Sequence, residues 1–171
     1  DVTGIELDGT TDGSLVVGGS VGSFGRNAIG ILTGGQINGS LQNYGTILTS
    51  GTQTAATTDK GNPVAQSALV VSNNITGGIY NAGPLSQSDG TAVANISTNG
   101  NLPALLITTG FESSATAAPI TIDGFTESAG LTYSLFNRGT ISSAAQNINI
   151  DSTAIEIIGG GSTNLIALSS G

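Results

Sequence analysis

Gln36-Ile37-Asn38-Gly39-Ser40-Leu41-Gln42-Asn43-Tyr44-Gly45-Thr46-Ile47 aligns without a gap on Asn74-Ile75-Thr76-Gly77-Gly78-Ile79-Tyr80-Asn81-Ala82-Gly83-Pro84-Leu85. A third copy, Leu131-Thr132-Tyr133-Ser134-Leu135-Phe136-Asn137-Arg138-Gly139-Thr140-Ile141, keeps the skeleton with Tyr133 in place of the first glycine. The shared pattern is apolar, three free positions, apolar, free, Asn, free, Gly, free, apolar. Its Asn-x-Gly element begins at 43, 81 and 137, at intervals of 38 and 56 residues. A shorter motif accompanies the cassettes: Ala28-Ile29-Gly30-Ile31, Ala68-Leu69-Val70-Val71, Ala104-Leu105-Leu106-Ile107 and Ala154-Ile155-Glu156-Ile157, spaced by 40, 36 and 50 residues. Fixed motifs at irregular intervals describe a repeated structural unit interrupted by turns of variable length. The Thr/Ser/Ala-rich stretch 49–66 and the segments 86–101 and 112–118, polar and without apolar period, are the expected insertions.

Each motif alternates apolar with small or polar residues, the period of a strand with one buried face, and each is too short to stand alone. Asn and Gly close every copy. Both tolerate a left-handed backbone, which predicts a tight corner after each strand. Strands of equal length that end at equivalent corners can stack with Ile, Leu and Val inside. This predicts an all-β fold, a right-handed parallel β-helix (β-solenoid), with residues 1–171 as one domain. A repeat of roughly 20 to 25 residues would give about seven or eight coils. An antiparallel sandwich or barrel also uses short strands and Gly/Asn turns, but it supplies no reason for one cassette to recur in register.

Composition agrees with strands. The 171 residues include 27 Gly, 22 Thr, 20 Ser and 18 Ile, against only three Lys plus Arg, so long amphipathic helices lack their usual material. The 37% hydrophobic content is enough to fill a core rather than leave the chain disordered. Eleven acids against Arg26, Lys60 and Arg138 give a net charge of −8, and three scattered cations cannot build a surface for nucleic acid. No apolar run approaches the length of a membrane-spanning helix. A chain that opens Asp1-Val2-Thr3 without Met reads as a processed product or a piece of a longer exported protein.

The cassettes from Ala28 to Ile47 and from Ala68 to Leu85 resemble the coils of bacterial autotransporter passenger domains and related large β-helical surface adhesins, where Ile-x-Gly-x-Ile-x-Asn-x-Gly-Thr-Ile phrases recur. Asn43-Tyr44-Gly45-Thr46-Ile47 and Asn137-Arg138-Gly139-Thr140-Ile141 match the end of that phrase fully, and Asn81-Ala82-Gly83-Pro84-Leu85 departs from it at Pro84 and Leu85. The resemblance covers about half the chain. It implies a right-handed β-helix exposed on, or shed from, a bacterial cell surface. The membrane-anchoring barrel of that family has no counterpart in these 171 residues.

Catalytic chemistry is narrowed by residue type. With no His and no Cys, Ser/His/Asp triads, Cys/His pairs, imidazole metal sites and thiolate metal sites are all unavailable. The glycine-rich runs Gly18 to Gly25 and Gly159 to Gly161 lack the lysine of a phosphate loop and read as turns. Carboxylates remain. Glu6 with Asp8, near Asp12, and Asp123 with Glu127 are the groups that a polysaccharide-cleaving β-helix would use, at about 5 to 9.5 Å apart. A solvated strand face is the simpler reading of these acids, and the expectation is no catalytic, cofactor or metal site. Thr52-Gln53-Thr54 alone shows the spacing of an ice-binding rank.

The residues singled out are structural: Asn43, Gly45, Asn81, Gly83, Asn137 and Gly139. The asparagines either bond amide to amide from coil to coil or cap their own corners. Tyr44, Tyr80 and Phe136, beside them, are expected either on the surface to stack on sugars or protein, or packed laterally between coils. The function expected is a non-enzymatic surface protein, an adhesin or structural stalk that contacts a host or neighbouring cell or a glycan. The alternatives are a self-assembling subunit of an extracellular filament or layer, through end-to-end or lateral contacts, and a polysaccharide-degrading enzyme. The loops at 49–66 and 86–101 are the expected contact regions. Neither nucleic acid nor membrane insertion is expected.

Overall fold

The computed structural model describes residues 2–51, 67–82, 94–100, 102–109, 119–126, 130, 132–145, 151–158 and 166–168. Among them there is no helix, and nearly all strands run parallel in stacked sheets, an arrangement compatible with a β-solenoid. The first pass holds β1 (Val2–Leu7), β2 (Leu15–Val17) and β3 (Ser20–Phe24). The second holds β4 (Ala28–Thr33), β5 (Leu41–Asn43) and β6 (Thr46–Ser50), and the third β7 (Leu69–Val71), β8 (Ile79–Asn81) and β9 (Asn95–Asn99). The fourth runs through β10 (Leu105–Thr108), β11 (Ile120–Ile122), β12 (Phe125–Thr126), β13 (Thr132–Tyr133), β14 (Leu135–Asn137) and β15 (Thr140–Ala144). A fifth carries β16 (Ile155–Ile158) and β17 (Ile166–Leu168).

Equivalent strands of successive passes pair side by side. The first sheet has the order β1-β4-β7-β10-β16, the second β2-β5-β8-β14 and the third β3-β6-β9-β15. A small fourth stack fills the corner between the first two sheets, where Thr11, Ile37, Ile75 and Ile122 bridge in parallel and Leu168 joins through β11 and β17. Among the described residues five strands stack on one face and four on each of two others, fewer than the seven or eight coils expected. The reason is chain length per pass. The first sheet advances by 26, 38, 36 and 50 residues from strand to strand, because the turns absorb far more chain than a 20 to 25 residue coil allows.

Registers show why these sequences settle here. Ile5, Ile31, Leu69, Leu105 and Ile155 lie in one row, Leu15, Leu41, Ile79 and Leu135 in a second, and Val21, Ile47, Ile96 and Ile141 in a third. The middle rungs of these rows form one apolar cluster, with Ile31, Leu41, Ile47, Leu69, Ile79, Ile96 and Leu105 fully buried. Burial of each such side chain contributes roughly 1.5–3 kcal/mol. The rows thus supply the cohesion between passes. A second buried group, Leu32, Val70 and Leu106 with Ile29 beside it, stands apart from that cluster. Its row ends in Glu6 at one edge strand and Glu156 at the other.

Three expectations from the repeats need correction. The Ala-led motif aligns Ala68 with Ala28, but the register pairs Leu69 with Ile31, so Ala68 stands opposite Gly30 and the interval is 38 rather than 40. Gly30 holds the small position because a Cβ there would lie 2.4 Å from the Ala68 carbonyl oxygen and 2.9 Å from Ile47 Cγ2. The apolar residue that opens the third cassette is Ile122, which bridges Ile75, rather than Leu131. Between Ile122 and β14 an excursion carries the antiparallel pair β12 and β13. Finally, Thr49, Ser50 and Asn95–Asn99, assigned to insertions, belong to β6 and β9. Their single apolar residue hides the strand signal, since Thr98 also sits inside. The rest of the three insertions, apart from Gly51, Ala94 and Gly100, lies outside the described residues.

Ile75→Ala, which empties a fully buried position of the corner stack, is expected to cost about 2–5 kcal/mol in urea unfolding. The same change at Ile157, 43% exposed on an edge strand, should cost less than about 1 kcal/mol.

Candidate functional site

The second sheet places Val17, Asn43, Asn81 and Asn137 in one row. Asn43 Nδ2 donates to Asn81 Oδ1 at 2.8 Å, and Asn81 Nδ2 donates to Asn137 Oδ1 at 2.7 Å. Each of these two amides also donates across the corner to the carbonyl that opens the third-sheet strand one pass ahead: Asn43 to Asn95 O and Asn81 to Thr140 O, both at 3.2 Å. Asn43 and Asn81 are fully buried, whereas Asn137 is exposed. A buried primary amide left unpartnered costs about 1–3 kcal/mol, so a continuous ladder is what permits these residues inside an apolar stack.

Both roles weighed for the asparagines occur at once in Asn43, whose Oδ1 also accepts the Gly45 N–H at 3.2 Å. The reason for the glycines differs from the expected one. Neither Gly45 nor Gly139 has a left-handed φ; a Cβ at Gly45 would lie 1.9 Å from Gly19 O, and one at Gly139 would lie 2.1 Å from Ala94 O. Close approach of backbone to backbone is what excludes a side chain at the corner. Gly83 lies outside the described residues.

A second polar row went unnoticed in the sequence. Ser23, Thr49, Thr98 and Ser143 share a register in the third sheet, and the first three are buried. Thr49 Oγ1 donates to Thr98 Oγ1 at 2.9 Å, while Ser23 and Ser143 donate to the carbonyls of Val2 (3.1 Å) and Leu102 (3.2 Å). The signal was present as a hydroxyl two residues after each inward apolar residue: Val21-Gly22-Ser23, Ile47-Leu48-Thr49, Ile96-Ser97-Thr98 and Ile141-Ser142-Ser143.

Outside the Asn row, Val16, Gln42, Tyr80 and Phe136 stack in register. Tyr80 is fully buried and so is not a surface platform; its ring lies nearly parallel to Phe136, with centroids 5.1 Å apart, and makes a T-shaped contact with Tyr44 at 5.8 Å. Tyr133 packs on Phe136 at 5.1 Å. Packing between passes is therefore the use made of these rings. A polar chain borders them: Tyr44 OH donates to Gln42 Oε1 (2.5 Å), Gln42 Nε2 donates to Ser40 Oγ (2.6 Å), and Ser40 Oγ meets Ser14 Oγ (3.0 Å). Burial pushes the Tyr44 phenol above its ordinary 10.0.

The carboxylates are dispersed. Glu6 is exposed on β1, Asp8 lies past the end of that strand, and Asp12 accepts from Asn38 Nδ2 at 2.8 Å. Asp123 is exposed, and Glu127, Lys60, Thr52-Gln53-Thr54 and Gly159 to Gly161 lie outside the described residues. Among the described residues no three acidic groups gather as a metal site would require. No protein-family model, no curated protein and no solved structure matches this chain.

Asn81→Ala strands the Asn43 donor in the interior and should cost about 2–4 kcal/mol, while Asn137→Ala, at an exposed rung, should cost about 1 kcal/mol or less. Urea midpoints of the two variants, with the slope unchanged, check the difference. The neutral Tyr44 phenol is favoured in the fold, so its contribution is intact below pH 10 and is lost as pH rises through the raised value. Tyr44→Phe should remove that part of the alkaline fall in Tm.

Proposed function

We propose that this chain is a non-enzymatic extracellular surface protein, a right-handed parallel β-helical passenger that works as an adhesin or structural stalk. The observation that carries the reading is the continuity of three parallel ladders around an interior of apolar, amide and hydroxyl rows. Such a stack is stiff along its axis, because bending it opens backbone bonds on every pass. Its outward positions are rich in Ser, Thr, Asn and Gln, which contact other surfaces with little charge to desolvate. The partners that suit it are a host or neighbouring cell surface or a glycan, met at the turns. The resemblance of the Asn-x-Gly cassettes to passenger coils points to the bacterial cell surface, attached or shed, as its location.

End-to-end assembly into a filament is the second reading. It is favoured by the exposed Val2, Val16 and Phe24 on the first pass and Ile155, Ile157 and Ile158 on β16. It is opposed by the acids on the two outer strands of the first sheet. In-register stacking of a second copy would also set Glu6 against Glu156. Negative-stain electron microscopy of the purified chain should show short single rods, and long fibres would overturn the stalk reading in favour of the filament. Beads coated with the protein should adhere to cells or to a glycan array through the turns. A screen on acidic polysaccharides should show no turnover, and turnover abolished by Glu6→Gln would overturn the non-enzymatic reading.

A further inference from the structure

The corner stack repeats a second device one residue past its bridging row. Asn38 N–H donates to Thr11 O (2.8 Å), Thr76 N–H to Ile37 O (3.1 Å) and Asp123 N–H to Ile75 O (2.9 Å), which sets Asp12, Asn38, Thr76 and Asp123 in one exposed row. A glycine follows each of them: Gly13, Gly39, Gly77 and Gly124. At two of these rungs crowding dictates it, since a Cβ on Gly39 would lie 2.4 Å from Gly13 O and one on Gly77 would lie 2.8 Å from Gly39 C. The exposed residue before the glycine changes from rung to rung. Only at Asn38 does it bring a side-chain amide beside an obligatory glycine.

Asn38-Gly39 and Asn99-Gly100 are the two Asn-Gly pairs of the sequence. Both asparagines are exposed, but the nitrogens that follow them differ. Gly100 is buried, and its N–H donates to Ala144 O at 3.0 Å. Gly39 N–H has no acceptor among the described residues: the bonds to the pass before run from Asn38 N–H to Thr11 O and from Ser40 N–H to Ser14 Oγ (3.0 Å), and skip the glycine between.

We propose that Asn38 is a self-modification site, where the Gly39 nitrogen attacks the asparagine side chain and converts it through a succinimide to aspartate and isoaspartate, while Asn99 is spared. The Gly39 nitrogen gives its proton to hydroxide and forms a bond to Asn38 Cγ. The Cγ–Nδ2 bond breaks, and Nδ2 leaves as ammonia with a proton taken from water. Water then opens the ring. Cleavage at Cγ leaves aspartate, and cleavage at the backbone carbonyl leaves isoaspartate, whose main chain runs through Cβ. An attacking nitrogen must give up its proton and its amide conjugation, which a ladder-bonded N–H such as that of Gly100 does only after local opening. Two exposed bonds steady the Asn38 amide, from Gln36 Nε2 to Oδ1 (2.5 Å) and from Nδ2 to Asp12 Oδ1 (2.8 Å), and water replaces such bonds at little cost. The product puts a carboxylate where Asp12 had a donor. A hydrogen-bonded pair becomes two like charges, and the net charge of −8 becomes one unit more negative.

The test follows the folded full chain at neutral pH and body temperature over weeks, beside the same chain unfolded in guanidinium chloride. Trypsin separates the two pairs, since Arg26, Lys60 and Arg138 place Asn38 in the fragment 27–60 and Asn99 in the fragment 61–138. Tandem mass spectra should show the Asn38 amide replaced by a carboxyl at least ~10-fold faster than that of Asn99 in the folded chain, as the cost of opening one ladder bond implies. In guanidinium chloride the two rates should be similar. An isoaspartyl methyltransferase should label the fragment 27–60 first. Deuterium exchange should be faster at the Gly39 amide than at the Gly100 amide, a readout that needs no variant. Equal rates at the two sites in the folded chain, modification of Asn99 ahead of Asn38, or an intact Asn38 after the unfolded control has reacted would each overturn the proposal. So would a Gly39 amide that exchanges as slowly as that of Gly100.

Discussion

Each strand in this molecule has half of its backbone groups turned to the pass before and half to the pass after, so no pass is complete by itself. The parallel ladder is the constraint on which everything else depends. It forces equivalent residues into rows, and a row is only as stable as its least compatible member. Apolar rows satisfy this easily. A polar row satisfies it only if every side chain can act as both donor and acceptor, which an amide does through two atoms and a hydroxyl through one. Asparagine on the second sheet and Ser or Thr on the third are the residues found there, and lysine or glutamate in either row would leave like charges a strand spacing apart.

The same constraint explains how much could be read beforehand. The cassette was legible because three demands coincide within a few residues: an inward apolar residue, an inward amide and a corner too crowded for a Cβ. Spacings of 38 and 56 residues between asparagines therefore correspond to real neighbours. The first pass was missed because Val17 stands where the others have Asn, and the corner Gly18-Gly19 then reads as an isolated turn. The Ala-led motif slipped by two residues, because Gly30 fills the alanine position and a chance Ala28 precedes it. Both misses arise where a small residue meets a steric need that leaves no distinctive letter. The outward cluster of Leu32, Val70 and Leu106 was invisible for another reason: the alternation it breaks is the signal used to find strands.

Chemistry was less legible than architecture. Side chains with catalytic reach are few, and the acids that could act are distributed over exposed positions. What the interior does contain is a set of neutral hydrogen-bond relays running parallel to the stack. These fix the order of the passes, since sliding one pass by two residues would set Asn43 against Ile79, and a slip of one would turn the amide out of its row. Specificity of assembly and absence of charge are thus two sides of one design.

The advance per pass on the first sheet varies from 26 to 50 residues, yet the rungs stay in register. Length and position are uncoupled: a turn can grow or shrink by a dozen residues without shifting any row. The molecule in effect carries two texts in one chain. One is a short vocabulary confined to the ladders, where almost any change is felt at two neighbouring levels. The other is the connecting chain, whose length differs from pass to pass, so novelty in what the surface touches can accumulate without renegotiating the interior.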